Sequence, residues 1–315
     1  MLKNRSGRVS ELKLELKLLI REKKMIIKLF VAFFIGFLVG CSPAERPLAE
    51  PSGESVGDDP STSQTNEPDG YNEYMWCQHG PNYSSDSHKA LMVDWTQRVT
   101  ALGMSELGHS TLTTVGQSSE EFDSIVVLRW ADKEARDSGW AAYKANDVDA
   151  SLQADHPGVI ACGGDEMQQY LWSFNRYQRP ASVQWDREEN PQARVGYRFC
   201  SYNSGKSVND LLEVVRGPFA EYLDSYESSN GPSSYSYGYL DPDFDPSTAP
   251  RSEGVPVDYD FSWMNFWGDP NEQVPSDSLW IEQGKDIQAS FDEVAECSEE
   301  QFYDISMNKM PASSI

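Results

Sequence analysis

The feature that most constrains the fold of this chain is an internal repeat. Four pairs of segments match in the same order along the chain: YMWCQHGPNYS (74–84) with YRFCSYNSGKS (197–207), VVLRWAD (126–132) with WMNFWGD (263–269), DVDASL (147–152) with DIQASF (286–291), and QYLWSFN (169–175) with QFYDISMN (301–308). No match requires rearrangement, so we interpret the folded part as two copies of one unit.

Each copy is predicted to follow the order strand, helix, strand, strand, helix, strand. In the first copy, HKALMVDWTQRVTAL places Leu91, Trp95 and Val99 on one helical face, and SIVVLRW has the β-branched and aromatic content of a strand. This order is the split βαβ, ferredoxin-like pattern. Two such units in one chain resemble a tandem version of the dimeric α/β barrel superfamily. We therefore expect the α+β class, with two tandem ferredoxin-like βαββαβ units packed as a pseudo-dimeric α/β barrel.

The segments outside the repeat suggest the domain organisation. It divides into a signal peptide (1–40, with Met25 as an alternative start), a flexible acidic tether (41–70), a first α+β repeat (71–176), a linker (177–194), a second α+β repeat (195–310) with an insertion at 227–256, and a tail (311–315). The tether contains Pro, Gly and acidic residues and almost nothing that could pack into a core. We call the two repeats copy 1 and copy 2.

The N-terminus carries a short apolar segment that ends in a cysteine. Lys28 precedes the apolar run 29–40, which has the length of a signal sequence core rather than of a membrane-spanning helix. Leu38-Val39-Gly40-Cys41 resembles the lipobox of bacterial lipoproteins. The resemblance implies that Cys41 becomes the first mature residue and carries a diacylglyceryl group and palmitate, and Ser42 favours sorting to the outer membrane. We expect a lipid-anchored envelope protein that faces the periplasm or the cell surface.

Charge limits the partners of the folded part. The chain has 26 basic and 50 acidic residues and a formal net charge of −24, with nine of the basic residues in 1–40. Such an acidic surface argues against nucleic acid as a partner. The GKS at 205–207 resembles the end of a phosphate-binding loop, but Cys200 stands where that loop needs glycine. We therefore expect no nucleotide and interpret Ser84 and Ser207 as helix caps.

Four cysteines remain besides Cys41, and they allow three pairings. The repeat favours Cys77–Cys162 and Cys200–Cys297, because the first and last strands of a ferredoxin-like sheet are neighbours. An envelope location is oxidising, which favours disulfides over free thiols.

Other candidate site residues are weaker. His79 and His156, two of four histidines that all lie in copy 1, and Asp132 and Asp269, which follow Trp in both copies, are catalytic candidates. For the two aspartates, capping of the next helix is the alternative interpretation. The alternating acids Asp241, Asp243 and Asp245 resemble the start of a calcium loop, without its later glycine and glutamate.

No motif identifies a reaction. We expect a non-catalytic protein that binds a small molecule or an envelope component. The alternatives are a small-molecule enzyme of the dimeric α/β barrel type, oxygenase-like or haem-related, with its site in the cleft between the two sheets, and calcium-dependent adhesion or binding. The sequence predicts no cofactor and leaves calcium and haem open.

Overall fold

The computed structural model describes residues 68–116, 121–163, 169–175, 181–249 and 258–311. The expected signal peptide, Cys41 and most of the expected tether lie outside these ranges. Both copies belong to one compact unit, Gln64–Ile315. Among the described residues, no helix is long and apolar enough to cross a membrane.

Copy 1 has the predicted element order with one short strand and one helix added. Its elements are β1 (Gly70–His79), α1 (Ser85–Ala101), β2 (Gly108–Thr114), β3 (Ser124–Trp130), α2 (Lys133–Ala145), α3 (Val148–Asp155), β4 (Ile160–Cys162) and β5 (Gln169–Asn175). Ser84 accepts a hydrogen bond from the backbone N–H of Ser87, as expected for a helix cap.

Copy 2 repeats this order. Its elements are β6 (Ala193–Tyr202), α4 (Val208–Val214), a π-helical turn (Val215–Phe219), α5 (Ala220–Asn230), β7 (Tyr235–Pro242), β8 (Phe261–Trp267), α6 (Gln273–Gln283), α7 (Lys285–Val294), β9 (Ala295–Cys297) and β10 (Gln301–Lys309). Pro218 lies in the π-helical turn, where its missing N–H interrupts what the sequence suggests is one continuous helix. Ser207 forms a capping box with Asp210 at the start of α4.

The longer strands form one closed antiparallel sheet. Each strand in the order β10, β2, β3, β1, β5, β7, β8, β6 pairs with the next, and β6 pairs with β10 to complete the ring. Two of the ladders join the copies, β5 with β7 and β10 with β2. The predicted fold class, two ferredoxin-like units packed as a pseudo-dimeric α/β barrel, is therefore confirmed.

The closed sheet separates three cores. Its inner face is packed with aromatic and aliphatic side chains, including Trp172 and Phe174. Tyr74 and Tyr197 occupy equivalent positions in the two copies, and the Tyr74 hydroxyl donates to the Tyr197 hydroxyl at 3.2 Å. The outer face carries one helix-covered core for each copy. The interior of the barrel is therefore occupied by packed side chains. This is the space in which the sequence placed the alternative enzyme site, between the sheets of the two copies.

Both predicted disulfides are present. Cys77 bonds to Cys162, which lies opposite it in the β1–β4 ladder, and Cys200 bonds to Cys297 in the β6–β9 ladder. The four residues are thus placed by the same strand pairing in both copies.

Two details of the repeat differ from the sequence interpretation. Part of the expected insertion 227–256 is regular structure, because 235–242 forms β7, the counterpart of β2. The closing segments are also offset by one residue. Tyr74 lies opposite Tyr170, whereas its counterpart Tyr197 lies opposite Gln301, so Gln301 corresponds to Tyr170 and not to Gln169.

Candidate functional site

The site with the richest chemistry is a cavity in copy 2, between the outer face of the sheet and the helices. Its volume is about 380 Å³. Aromatic side chains form much of its wall, among them Phe219, Tyr222, Tyr226, Tyr235, Trp263, Trp267, Trp280, Phe291 and Phe302. Glu300, Asp277, Arg198 and Asn265 supply polar groups in the same wall. The arrangement suits a ring-containing organic molecule of modest size.

Strand alternation explains why polar groups reach this cavity. Arg198 is two residues from Cys200 on β6, and Asn265 is two residues from Trp263 and Trp267 on β8, so these side chains share the outer face. Glu300 immediately precedes β10, beside β6. Asp277 comes from helix α6, on the other side of the cavity.

A hydrogen-bond network holds the Glu300 carboxylate. The Asn265 Nδ2 donates to Glu300 Oε1 at 2.8 Å, and Arg198 Nε donates to Glu300 Oε2 at 3.3 Å. The Asn265 Oδ1 in turn accepts from Trp263 Nε1 and from the Tyr235 hydroxyl, both at 2.8 Å. These two donors fix the orientation of the Asn265 amide, so that its NH₂ group faces Glu300.

Burial makes two of the acids that line the cavity, Glu300 and Asp277, easier to protonate. It raises the pKa of Glu300 above its ordinary value of 4.5, against the opposing hydrogen bond from Asn265 and the charge of Arg198. Burial likewise raises the pKa of Asp277. A carboxyl group with a raised pKa in an apolar cavity is suited to accept and return protons.

The equivalent region of copy 1 holds a different carboxylate. Glu73, on β1, is fully buried and accepts from Trp130 Nε1 at 3.0 Å and from Trp140 Nε1 at 2.8 Å. Its other oxygen accepts from Arg136 Nη2 at 2.6 Å and Gln169 Nε2 at 2.8 Å. Every acceptor direction of this carboxylate is therefore used inside the protein.

Strand register shows which residues of the two copies correspond at this site. Because Cys77 corresponds to Cys200, Glu73 corresponds to Gly196. The offset in the last strand makes Gln169 the counterpart of Glu300. Copy 1 thus has its acid on the first strand, whereas copy 2 has glycine there and its acid beside the last strand. A Cβ on Gly196 would lie 2.0 Å from Glu300 Oε1, so the glycine leaves room for that carboxylate.

Copy 1 also has a cavity, of about 970 Å³, but its polar wall is different. Asp137, Asp147 and Asp149 line it and are exposed to solvent, whereas Glu73 does not line it. The acid with the most hydrogen bonds in copy 1 is therefore closed off from that cavity.

The structure places the predicted histidines away from the copy-2 cavity. His79 stacks on Tyr83, with ring centroids 3.4 Å apart, and its Nε2 lies 3.3 Å from the Ser124 hydroxyl. His156 Nε2 lies 3.2 Å from Asp94 Oδ2 in a partly exposed cluster. Neither side chain lines the cavity.

The paired aspartates act as caps. Asp132 accepts from the backbone N–H of Ala135 at 2.7 Å, and Asp269 accepts from that of Asn271 at 2.9 Å. The capping interpretation is thus confirmed for both, and the structure gives neither a catalytic contact. Lys206 of the GKS segment pairs with Asp210 at 3.5 Å.

The three acids of the calcium candidate have separate partners. Asp241 accepts from the Tyr239 hydroxyl at 2.6 Å, Asp243 pairs with Lys133 at 2.7 Å, and Asp245 caps a short 3-10 turn. Within the ranges that the structure describes, no group of three or more His, Cys, Asp or Glu side chains is placed to hold a metal ion. Calcium binding stays a prediction without a ligand set.

The described residues that line the two cavities do not fit a histidine-ligated haem. No histidine is among the described residues that line the copy-2 cavity. His109 does line the copy-1 cavity, but it is 3% exposed, packs 4.6 Å from Trp95 and has its Nδ1 2.9 Å from Asn308 Nδ2. Burial lowers its pKa to about 3. We derive no step through haem.

Sequence reasoning did not find Glu300, Asn265 or Arg198. These residues break the repeat instead of matching it, since their counterparts are Gln169, Leu128 and Met75. The signal that could have revealed them is the replacement of Glu73 by Gly196 between two otherwise similar strands.

Comparison with known proteins yields similarity only at the level of structure. No protein-family model matches the chain, and no curated protein matches it. An anthrone oxidase-like protein is 10% identical with a TM-score of 0.42, covering 78% of this chain and 97% of its own. A variant chlorite dismutase from Candidatus Nitrospira defluvii is 9% identical with a TM-score of 0.39, covering 76% of this chain and 92% of its own. No residue role is carried over from either.

Proposed function

We propose that this protein is a small-molecule enzyme of the dimeric α/β barrel type, with its site in the copy-2 cavity. The observation that carries the proposal is a buried carboxyl group with a raised pKa, Glu300, in the wall of an aromatic cavity. A ring-containing molecule fits the aromatic walls, and Glu300 accepts a proton from an acidic C–H or O–H group. The electron pair of the broken bond stays on the substrate, and the carboxyl group then returns the proton.

The pH dependence of this step follows from the direction of the pKa shift. Only the ionised carboxylate accepts a proton. Since burial raises the pKa of Glu300 above 4.5, activity rises with pH through a midpoint above that value. Arg198 and Asn265 hold the carboxylate in place through both protonation states.

The test is deuterium uptake by a bound carbon acid. The full chain is first titrated with the neutral fluorophore N-phenyl-1-naphthylamine, and 2-indanone or 2-tetralone is then used to displace it. For a ketone that displaces the fluorophore, mass spectrometry in D₂O follows exchange at its acidic CH₂ positions. Glu300→Gln should slow exchange by about 100-fold or more and change the dissociation constant of the fluorophore less than threefold.

Asp137→Asn, which removes a surface acid of copy 1, is the matched control and should behave as wild type. The non-catalytic interpretation shares the cavity and the fluorophore. Equal exchange in wild type and Glu300→Gln, or no exchange of a ketone that binds, would contradict the enzyme and favour that interpretation.

We further propose that the folded unit is anchored to the envelope through lipid on Cys41.

 
The support is the Leu38-Val39-Gly40-Cys41 motif after a short apolar run. Radiolabelled palmitate should enter the wild type and not Cys41→Ala, and fractionation should then place the wild type with the outer membrane. Label in Cys41→Ala would overturn the anchor.

A further inference from the structure

One buried polar atom in the wall of the copy-2 cavity has no partner. Trp267 is 3% exposed, and its Nε1 makes no hydrogen bond within the part of the chain that the structure describes. An indole N–H can only donate, so it needs an acceptor. Buried donors are almost always satisfied, and an exception calls for an explanation.

Copy 1 shows which partner this position takes. Trp130 is the counterpart of Trp267, and its Nε1 donates to Glu73 Oε2 at 3.0 Å. The counterpart of Glu73 is Gly196, which has no side chain to offer an oxygen. The indole N–H is thus retained in copy 2, whereas the oxygen that satisfies it in copy 1 is gone.

The nearby acid of copy 2 does not replace that oxygen. Glu300 Oε1 accepts from Asn265, and Glu300 Oε2 accepts from Arg198. A second polar atom in the same wall, the Ser276 hydroxyl oxygen, also has no hydrogen-bond partner among the described residues. The wall therefore contains a donor and a hydroxyl that have no hydrogen-bond partner among the described residues.

The charge of the cavity selects the kind of oxygen. Glu300 and Asp277 both line it, and the formal net charge of the chain is −24. A carboxylate on the ligand would be repelled by these acids, whereas a neutral carbonyl oxygen accepts the same hydrogen bond without that cost.

We propose that the ligand of the copy-2 cavity is a neutral ring compound with a carbonyl oxygen that accepts a hydrogen bond from Trp267 Nε1. This inference rests on the proposed function for the location of the site and adds the chemical class of the ligand. The carbonyl oxygen takes the place that the Glu73 carboxylate fills beside Trp130. The rings pack against the aromatic wall, which includes Trp263 and Phe291.

The test compares two probes of nearly equal shape, 2-acetonaphthone and 2-ethylnaphthalene, which differ in the carbonyl oxygen. Each is titrated against the full chain by displacement of N-phenyl-1-naphthylamine. Wild type should bind the ketone about tenfold more tightly, as expected when a buried unpaired donor gains a partner. Trp267→Phe should remove this preference and leave the affinity for the hydrocarbon within about threefold.

Trp130→Phe in copy 1 is the matched control and should keep the tenfold preference. A second readout follows the indole N–H signals by ¹H–¹⁵N NMR, with the Trp267 signal identified by its loss in Trp267→Phe. The ketone should move that signal downfield, and the hydrocarbon should not.

Three outcomes would overturn the inference. Equal binding of both probes by wild type is one, and a preference that persists in Trp267→Phe is another. Tighter binding of 2-naphthoate than of the ketone would show that the cavity takes an anion. None of these results depends on deuterium exchange, so failure here is distinguishable from failure of the proposed enzyme.

Discussion

The two copies use equivalent positions for opposite purposes. In copy 1 the Glu73 carboxylate is enclosed by two indole N–H groups, Arg136 and Gln169. In copy 2 the equivalent strand position is Gly196, the acid is Glu300, and a cavity of about 380 Å³ lies beside it. The comparison teaches that one fold can hold a carboxylate as a structural anchor in one half and place a carboxylate in the wall of a cavity in the other.

The largest effect is expected from removing the enclosed acid. Glu73→Ala leaves Arg136 and two indole donors without their acceptor, and it should lower the free energy of unfolding by about 3–5 kcal/mol. Glu300→Ala should cost only about 1–2 kcal/mol, because its partners lie in the wall of a cavity. Urea denaturation of both variants measures the difference. Equal losses of unfolding free energy would contradict the division into a structural acid, Glu73, and a cavity acid, Glu300.

The disulfides should reveal where the copies are alike. Cys77→Ser with Cys162→Ser, and Cys200→Ser with Cys297→Ser, should each cost about 2–4 kcal/mol. The bridges span 85 and 97 residues, so the chain-entropy account predicts costs that agree within about 0.5 kcal/mol. Denaturation under non-reducing conditions checks this. A gap above 2 kcal/mol would show that strand pairing alone does not set their contribution.

Much of the architecture could be predicted from the sequence. The repeat, the alternating strands and the position of each cysteine were sufficient for the fold class and both disulfides. The one-residue offset at Gln301 was not, because it depends on how the strands pair in three dimensions.

The site was largely beyond prediction for a related reason. A repeat is recognised by what its copies share, whereas Gly196, Asn265 and Glu300 are positions where they differ. The histidines and the alternating acids of the calcium candidate stood out by residue type, yet His79 stacks on Tyr83 and Asp243 pairs with Lys133. The residues that were chemically distinctive in the sequence therefore have separate partners in the structure and do not form one site.

Giving copy 2 the acid and amide positions of copy 1 should fill its cavity. The double variant Gly196→Glu with Glu300→Gln places an acid on the first strand and an amide beside the last, as in copy 1. It should weaken binding of N-phenyl-1-naphthylamine at least tenfold, because the new carboxylate occupies the cavity beside Trp267. Fluorescence titration measures this, with Glu300→Gln alone as the control. Unchanged binding by the double variant would place the fluorophore elsewhere.

The smallest effect concerns the paired caps. Asp132→Ala should destabilise the protein by about 1 kcal/mol, because Asp132 caps the 13-residue helix α2. Asp269→Ala should cost roughly half as much, since Asp269 caps a three-residue 3-10 turn. Thermal denaturation compares the two variants. If Asp269→Ala had the larger effect, a role beyond capping would have to be sought for it.

The covalent connection between the copies determines how far each half is able to diverge. The β5–β7 and β10–β2 ladders make each copy complete the sheet of the other. In a barrel of two identical chains, replacing Glu73 by glycine would remove the buried anchor from both halves at once. In this single chain, copy 1 keeps Glu73 and stabilises the shared barrel, while copy 2 has Gly196 at the equivalent position. The covalent connection thereby allows the residues around the copy-2 cavity to change while Glu73 continues to stabilise copy 1.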